Sequence, residues 1–348
     1  MQGKCGLFFT SYQGEAQIFQ SGFQKLMVGL FVLVLLAAPA VLNVHLTSIM
    51  NLIFISVIGA VSLNLLTGIC GQISLGHGAF IGVGAYAAGQ CTLHGVPFPL
   101  AILTAGLITA MVGMVFGVPS LRLKGIYLAI ATLAAQLVLE YVFLHGGALT
   151  GGSNGLLLDP PQIFGFSFDT EARMFYLLLF FAAASLLMVS NLMRTKYGRA
   201  FVSIRDFYLS AEIVGVNLFR YKLAAFGLSS FLAGVAGGLW AHYTGYISAE
   251  QFNIGLSISY LAMIIIGGLG SVIGSVFGAV FIVILPEVLN AVANGVGNYF
   301  PDIAQHIVAL REGVFGLVLI LFLIFEPEGL AHRWRLIKAY WKLYPFAH

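Results

Sequence analysis

The stretch LNLLTGICGQISLGHG at residues 63–78 interrupts sequence that is otherwise as apolar as the interior of a lipid bilayer. Glycine and polar residues at that depth are tolerated only where the backbone is buried in protein or lines a cavity. The stretch therefore predicts a broken transmembrane helix, whose half-helix ends would offer amides to a carboxylate and carbonyls to a cation. The candidates that it supplies for lining a pathway are Asn64, Gln72, Ser74 and His77. The alternative is a cytoplasmic turn in which His77 has a structural role.

The composition of the whole chain points to a membrane protein. Of its 348 residues, 59% are hydrophobic and only 8% are charged, and the mean hydropathy is +0.97. No soluble core uses so much apolar surface. Because a spanning helix needs about 20 apolar residues, we predict an all-α polytopic membrane protein with roughly ten transmembrane helices. The predicted spans are Lys25–Asn43, Thr47–Thr67, Ala79–Thr92, Leu100–Val118, Ile126–His145, Arg173–Leu192, Lys222–Tyr243, Leu256–Gly267, Val272–Asn290 and Ile307–Phe325.

The Lys and Arg residues indicate how these spans are oriented. When the spans are threaded back and forth, all 16 basic residues except Arg173 and Arg311 fall on one side. Short cytoplasmic loops collect basic residues, so both termini are predicted to be cytoplasmic. The competing explanation, a nucleic-acid surface, is disfavoured because basic clusters beside spans are usually topological anchors; membrane lipid is the expected partner.

This orientation divides the chain into three parts. Residues 1–24 form a cytoplasmic N-terminal segment, residues 25–330 a transmembrane domain, and residues 331–348 a cytoplasmic tail that mixes basic and aromatic residues. Within the transmembrane domain, residues 146–171 are rich in Gly, Ser and Asn and predict an exposed periplasmic loop.

A second set of polar residues lies inside a predicted span. Thr132, Gln136 and Glu140 recur every four residues and therefore share one helical face. Polar side chains within a span are functional candidates, so Thr132 and Gln136 join the candidates for the pathway. The alternative is a structural role, with Glu140 reaching water at the outer end of the helix.

The cytoplasmic segment 194–222 is far longer than a hairpin between two spans needs. Phe201, Ile204 and Tyr208 recur at helical spacing, while Arg205 and Glu212 lie on another face, which is the pattern of short amphipathic helices. This pattern indicates a partner protein on the cytoplasmic side. The alternative is an amphipathic helix that rests on the bilayer surface.

Several motifs carry a resemblance to a known family. Glu212, preceded by Ala211 and followed three positions later by Gly215, resembles the coupling-loop motif of bacterial ABC importer permeases, which docks into a cleft of the ATPase subunit. Longer stretches are similar to the permeases of branched-chain amino-acid importers, the LivM type. These stretches are SLNLLTG (62–68), GQISLGHGAF (71–80), GGSNG (151–155), YGRA (197–200), RYKLAAF (220–226) and IGGLGS (266–271). The resemblance extends from about Thr47 to Leu330.

The resemblance implies a transporter in the bacterial inner membrane, assembled with a companion permease subunit, two ABC ATPase subunits and a periplasmic substrate-binding protein. The sequence holds no Gly-x-x-x-x-Gly-Lys-Ser/Thr loop for nucleotide phosphates, so hydrolysis belongs to another chain. ATP and Mg are expected on the ATPase subunits, with no cofactor, metal or catalytic residue in this chain. The residues expected to couple to the ATPase are Arg205, Asp206, Ala211, Glu212 and Gly215.

The resemblance also implies branched-chain or other hydrophobic amino acids as substrates. Similar permeases are associated with urea, short amides and aromatic acids, which remain alternatives. A gated channel would need only the broken helix and a pore, and the long cytoplasmic segment disfavours it. A membrane-embedded enzyme would need a catalytic set, yet the eight His residues show no His-Glu-x-x-His pattern.

Glycines at four-residue spacing predict close approach of helices in lipid. Such contacts either pack helices of this chain together or form the interface with a companion permease. The glycines concerned are Gly78 and Gly82, Gly113 and Gly117, Gly234 and Gly238, and Gly270, Gly274 and Gly278.

Overall fold

The computed structural model describes residues 22–120, 125–163, 165–299, 313–314, 316–322, 324–326 and 328–343. Most of the predicted N-terminal segment, the basic residues Arg122, Lys124 and Arg311, and the last five residues of the tail lie outside these ranges. The predicted span Ile307–Phe325 is described only in part.

The described residues are overwhelmingly helical, which confirms the all-α class. The α-helices are α1 (Gly22–Val41), α2 (Val44–Leu63), α3 (His77–Leu93), α4 (Phe98–Ser120), α5 (Ile126–His145), α6 (Glu171–Arg194), α7 (Lys196–Ile213), α8 (Leu218–Thr244), α9 (Ile254–Gly267), α10 (Val272–Tyr299) and α11 (Leu330–Leu343).

Within the described ranges, 6 helices are long and apolar enough to cross a membrane. They are Val44–Ile69, Phe98–Pro119, Ile126–His145, Glu171–Arg194, Leu218–Thr244 and Val272–Val292. Lys25–Val41 and Ile254–Gly267 are shorter apolar helices. The chain is thus a multi-pass membrane protein, while the total of roughly ten spans and the cytoplasmic termini stay predictions.

Helix α8 begins four residues earlier than the predicted span at Lys222, because its first turn is capped. The Asn217 side chain accepts a hydrogen bond from the backbone N–H of Arg220 at 3.0 Å. Such a cap satisfies one of the free amides at a helix start. The Asn217 cap therefore starts α8 before the predicted span.

Helices α2 and α8 form the buried centre of the bundle, and α3 and α4 pack along α8. The surrounding helices expose large apolar side chains to the outside, among them Leu107 and Val115 of α4, Leu137 of α5 and Phe180 of α6. Helices that face lipid need an apolar outer surface, so this arrangement fits a bilayer.

The glycine spacings serve packing within the chain. A Cβ at Gly113 would overlap the side chain of Ser230, and one at Gly234 would overlap Thr109. A Cβ at Gly278 would overlap the carbonyl of Met263. These glycines therefore join α4 to α8 and α9 to α10, as the intramolecular explanation predicted.

The loop predicted over residues 146–171 carries short strands between α5 and α6. Strand β1 (Leu156–Leu157) pairs antiparallel with β4 (Tyr246–Ile247), which follows α8, and β2 (Gln162–Ile163) pairs with β3 (Phe166–Ser167). Leu156 is the partner of Ile247. The end of α8 is thereby attached to the loop before α6.

Candidate functional site

The helix is interrupted where the sequence predicts a break. Helix α2 passes into a π-helical turn at Asn64–Ile69, and residues 71–76 are non-helical before α3 begins at His77. The amide of Gln72 reaches the carbonyl of Leu66 at 3.0 Å, a wider loop than an α-turn closes. π-Turns inside α-helices are frequent at functional sites.

A second break lies against the first. Gly268 and Gly270 separate α9 from α10 and have φ values of +114° and +77°, which favour glycine. Asn64 bridges the two breaks and is buried. Its Nδ2 donates to the Ser271 carbonyl and to Ser275 Oγ, both at 2.8 Å, and its Oδ1 accepts from the Gly270 amide at 2.8 Å. Three hydrogen bonds therefore lock the breaks together through one amide side chain.

His77 ties the start of α3 back to α2. Its Nε2 lies 2.8 Å from Ser62 Oγ and 3.0 Å from the Gly59 carbonyl. A carbonyl only accepts, so Nε2 carries the hydrogen. The ring also meets Tyr260 of α9 edge to face, with centroids 5.6 Å apart. These contacts support a structural role for His77 within the broken helix.

Gln136 and Thr132 hold the chain just after the break. Gln136 Oε1 accepts from the Ala79 amide at 2.8 Å and from Ser257 Oγ at 3.0 Å, and its Nε2 donates to the Phe252 carbonyl at 2.6 Å. Thr132 Oγ1 accepts from the Leu75 amide at 2.9 Å. These bonds join α5 to the segment that the sequence predicted as part of the pathway.

The first-turn amides of α3 are largely occupied by these side chains. Ser257 Oγ accepts from the Gly78 amide at 2.8 Å, and Gln136 serves Ala79. The expectation that the half-helix offers free amides to a carboxylate is therefore not met at Gly78 and Ala79 in this conformation. The chain itself caps the helix instead.

Gln72 and Ser74 differ from the other predicted pathway residues. Both are buried, yet Gln72 Oε1 and Ser74 Oγ have no hydrogen-bond partner among the described residues. A buried polar group left unpaired costs about 1–3 kcal/mol. The described residues therefore leave two polar atoms of this stretch without a hydrogen bond.

Outside the spans, α7 and the start of α8 enclose a groove of about 510 Å³. Helix α7 is kinked at Phe207, whose φ of −151° and ψ of 87° are non-helical. The residues that line the groove are Lys196, Arg199, Ala200, Ser203, Asp206, Phe207, Ser210, Ala211, Val214, Val216 and Tyr221.

The groove is bordered by apolar side chains with little cover. Phe207 is 75% exposed, Ile213 85% and Val214 83%, whereas Phe201 and Ile204 are buried against the bundle. One face of α7 thus packs against the bundle, while other apolar side chains of α7 remain exposed. Adjacent exposed apolar residues are typical of protein interaction sites.

The five predicted coupling residues occupy different positions relative to the groove. Asp206 and Ala211 line the groove, while Glu212 and Gly215 are exposed at the end of α7. The Gly215 amide bonds the Glu212 carbonyl at 2.9 Å with φ at +92°, so glycine ends this helix. Arg205 does not line the groove, and its guanidinium reaches the first break instead.

The partners of the predicted residues were not identified from the sequence. Ser257 and Ser275 lie in apolar helices and Ser271 lies in the second break. Only the fold brings these serines to Gln136 and Asn64. One signal was present in the sequence, because two glycine-interrupted apolar segments mark a site in many transporters. The IGGLGS stretch is the second such segment.

The apolar perimeter, the paired helix breaks and the groove beyond the spans define a multi-pass membrane protein with an internal polar site. The family model described as "Branched-chain amino acid transport system / permease component" matches residues 45–323. The chain therefore belongs to this family of ABC transporter permeases, as the resemblance implied.

Individual relatives agree with this membership. The high-affinity branched-chain amino acid transport permease LivM of Escherichia coli K12 is 31% identical over 273 residues, which cover 71% of this chain and 64% of the relative. A probable LivM of Methanocaldococcus jannaschii is 27% identical over 234 residues (66% of this chain, 67% of the relative). The autoinducer 2 import permease LsrC of Enterobacter sp. strain 638 is 27% identical over 201 residues (57% and 56%).

The alignment with Escherichia coli LivM thus covers less than two thirds of that relative. None of the solved structures matches the chain.

Proposed function

We propose that this chain is the transmembrane permease subunit of an ATP-driven ABC importer that moves branched-chain or other hydrophobic amino acids into the cytoplasm. The observation that carries the proposal is the family match over residues 45–323. The groove beside α7 supports it, because an importer permease needs a surface to receive its ATPase.

The proposed complex contains a companion permease, two ABC ATPase subunits and a periplasmic substrate-binding protein. The ATPases bind ATP and Mg, and α7 docks into a cleft of one of them, where Asp206 and the exposed apolar residues beside the groove offer mixed contacts. Glu212 and Gly215 lie at the rim of the same surface. The complex resides in the bacterial inner membrane with both termini of this chain cytoplasmic.

In the proposed pathway, Gln72 and Ser74 contact the substrate, because their buried polar atoms lack internal partners among the described residues. Asn64, His77, Thr132 and Gln136 hold the break in place around them.

The substrate alternatives are urea, short amides and aromatic acids. The LsrC relatives, named for autoinducer 2 import, show that permeases similar to this chain serve other cargo. A gated channel would conduct without ATP.

The decisive experiment is co-expression of this chain with a companion permease and ATPase, followed by reconstitution into liposomes. ATPase activity and uptake of radiolabelled leucine are measured with and without the leucine-loaded binding protein. We expect ATP-dependent uptake and stimulated hydrolysis. A stable complex without a leucine response would redirect the substrate to the alternatives, uptake without ATP would indicate a channel, and failure to form a complex would refute the importer.

Cysteines placed at Gln72 and Ser74 should report on the pathway. We expect their rate of reaction with a small maleimide to change by about threefold or more when ATP, Mg and vanadate are added, because alternating access changes what reaches a substrate site. The matched control is Ser230→Cys in α8, where the side chain is buried against Gly113 and should stay unreactive. Protection of both test positions in all states would favour a purely structural role.

Gly215→Arg should abolish transport while the subunit is still made and inserted. The φ of +92° strains any side chain there by about 1–3 kcal/mol, and the new cation lies at the rim of the groove. The measurement is leucine uptake by the reconstituted complex. Gly95→Arg is the control, because Gly95 also has positive φ (+79°) and open space around it but lies far along the chain from the groove. Equal uptake by the two variants would remove Gly215 from the ATPase contact.

A further inference from the structure

Arg205 of α7 lies where the cytoplasmic-side helix meets both helix breaks. Its Nη1 donates to the Gly68 carbonyl at 3.0 Å, within the π-helical turn. A Cβ at Gly71 would lie 3.0 Å from Arg205 Cγ, and a Cβ at Gly270 would lie 2.9 Å from Nη1. The side chain is 38% exposed and packs on its inner side against three glycines, two from the first break and one from the second.

The same guanidinium is also bonded toward the groove. Its Nε donates to Asp206 Oδ1 at 2.9 Å, and Asp206 lines the groove. A planar guanidinium has five donors in a fixed arrangement and can hold a carboxylate and a carbonyl at once. Arg205 thus connects a groove-lining side chain to the backbone of the broken helix.

The contact at Gly71 lies beside the two polar side chains that have no hydrogen-bond partner among the described residues. Gly71 immediately precedes Gln72, and Ser74 follows in the same non-helical stretch. A displacement of α7 would therefore act on this stretch through the carbonyl of Gly68 and through close packing at Gly71. Coupling between distant sites is carried by such chains of packed and hydrogen-bonded groups.

We infer that Arg205 is the positioning residue that transmits movement of α7 to the broken helix, and so sets the position of Gln72 and Ser74 during transport. This role is distinct from the direct contact with the ATPase that the sequence suggested for Arg205. The inference rests on the proposed function, since it needs an ATPase that moves α7.

The first test compares Arg205→Ala, Arg205→Lys and Arg335→Ala in the reconstituted complex. We expect the amount of substrate moved per ATP hydrolysed to fall by about tenfold or more in Arg205→Ala, because hydrolysis no longer moves the break. Arg205→Lys should recover part of the ratio, since one ammonium group can donate to the Gly68 carbonyl. Arg335→Ala, which removes an exposed arginine of α11, should match the wild type.

The second test measures transmission itself. Gln72→Cys is introduced into a chain in which Cys5, Cys70 and Cys91 are replaced by alanine, and the maleimide reaction rate of the introduced thiol is compared with and without ATP, Mg and vanadate. We expect the nucleotide effect to be present with Arg205 and absent with Arg205→Ala. If Arg205→Ala does not assemble, the same labelling is measured in the Arg205→Lys background. We then expect the nucleotide effect on the labelling rate to be reduced.

Two results would overturn the inference. One is a transport-to-hydrolysis ratio for Arg205→Ala equal to that of Arg335→Ala. The other is an unchanged nucleotide effect on the labelling of Gln72→Cys in the altered background. A wild-type complex that neither transports nor hydrolyses ATP would instead refute the proposed function, so the two failures are distinguishable.

Discussion

Gly237→Ala is expected to prevent α3 and α8 from packing, with loss of about 3 kcal/mol or more of stability, the upper end of overpacking costs. The alanine Cβ would overlap the carbonyl oxygen of Ile81 in α3. A backbone atom cannot rotate away as a side chain can, so the helices must separate. The measurement is the midpoint of thermal aggregation of the detergent-purified subunit, together with its yield in the membrane.

The matched control for this prediction is Gly227→Ala in the same helix. Its Cβ would meet only the Met114 side chain, at 3.3 Å from Cγ and Sδ. Methionine is flexible and adapts to such contacts, so the midpoint should be close to that of the wild type. Equal midpoints for the two variants would show that the α3–α8 contact is not the tight one described.

Asn64→Leu should destabilise the joined helix breaks and abolish transport. The leucine has a similar size but removes three hydrogen bonds, and interhelical bonds in membranes contribute about 0.6–1.7 kcal/mol each, or about 2–5 kcal/mol together. The Gly270 amide and the Ser271 carbonyl would lose the Asn64 partner. The measurements are the aggregation midpoint and leucine uptake.

Asn191→Leu serves as the control, because Asn191 is exposed near the end of α6 and its side chain bonds only Arg194 at 3.2 Å in the described contacts. It should leave both the midpoint and uptake near wild-type values. If Asn64→Leu behaves in the same way, the two breaks are held together by packing and not by the amide.

The sequence predicted the break but not its partners. Glycines and polar residues within an apolar stretch identify residues 63–78 because lipid leaves few options for such a segment. Asn64, however, bonds residues more than 200 positions away, with separations of 206 to 211. No local pattern specifies that pairing, since it depends on how α2 and α10 cross.

Residues 194–222 show the same division between local and tertiary information. Helical spacing placed Phe201 and Ile204 on one face of an amphipathic helix, and the structure buries that face against the bundle, where the sequence had suggested a partner protein. It gave no sign of the kink at Phe207 or of Arg205 reaching inward to Gly68. The helical spacing follows from the residue pattern alone. The kink and the Arg205 contact depend on the position of α7 relative to the bundle.

The pairing of β1 with β4 has a mechanical consequence for the whole molecule. Besides the strand pairing, Leu158 donates its amide to the Gly245 carbonyl at 2.9 Å, and the Tyr246 hydroxyl donates to the Asn154 carbonyl at 3.2 Å. Helix α8 is thus fastened at one end to the loop before α6, and its other end borders the groove at Tyr221. Its 27 residues span about 40 Å at 1.5 Å each. The loop and the groove therefore lie at opposite ends of one continuous helix. A tilt of α8 caused by binding at one end would displace the other end as well.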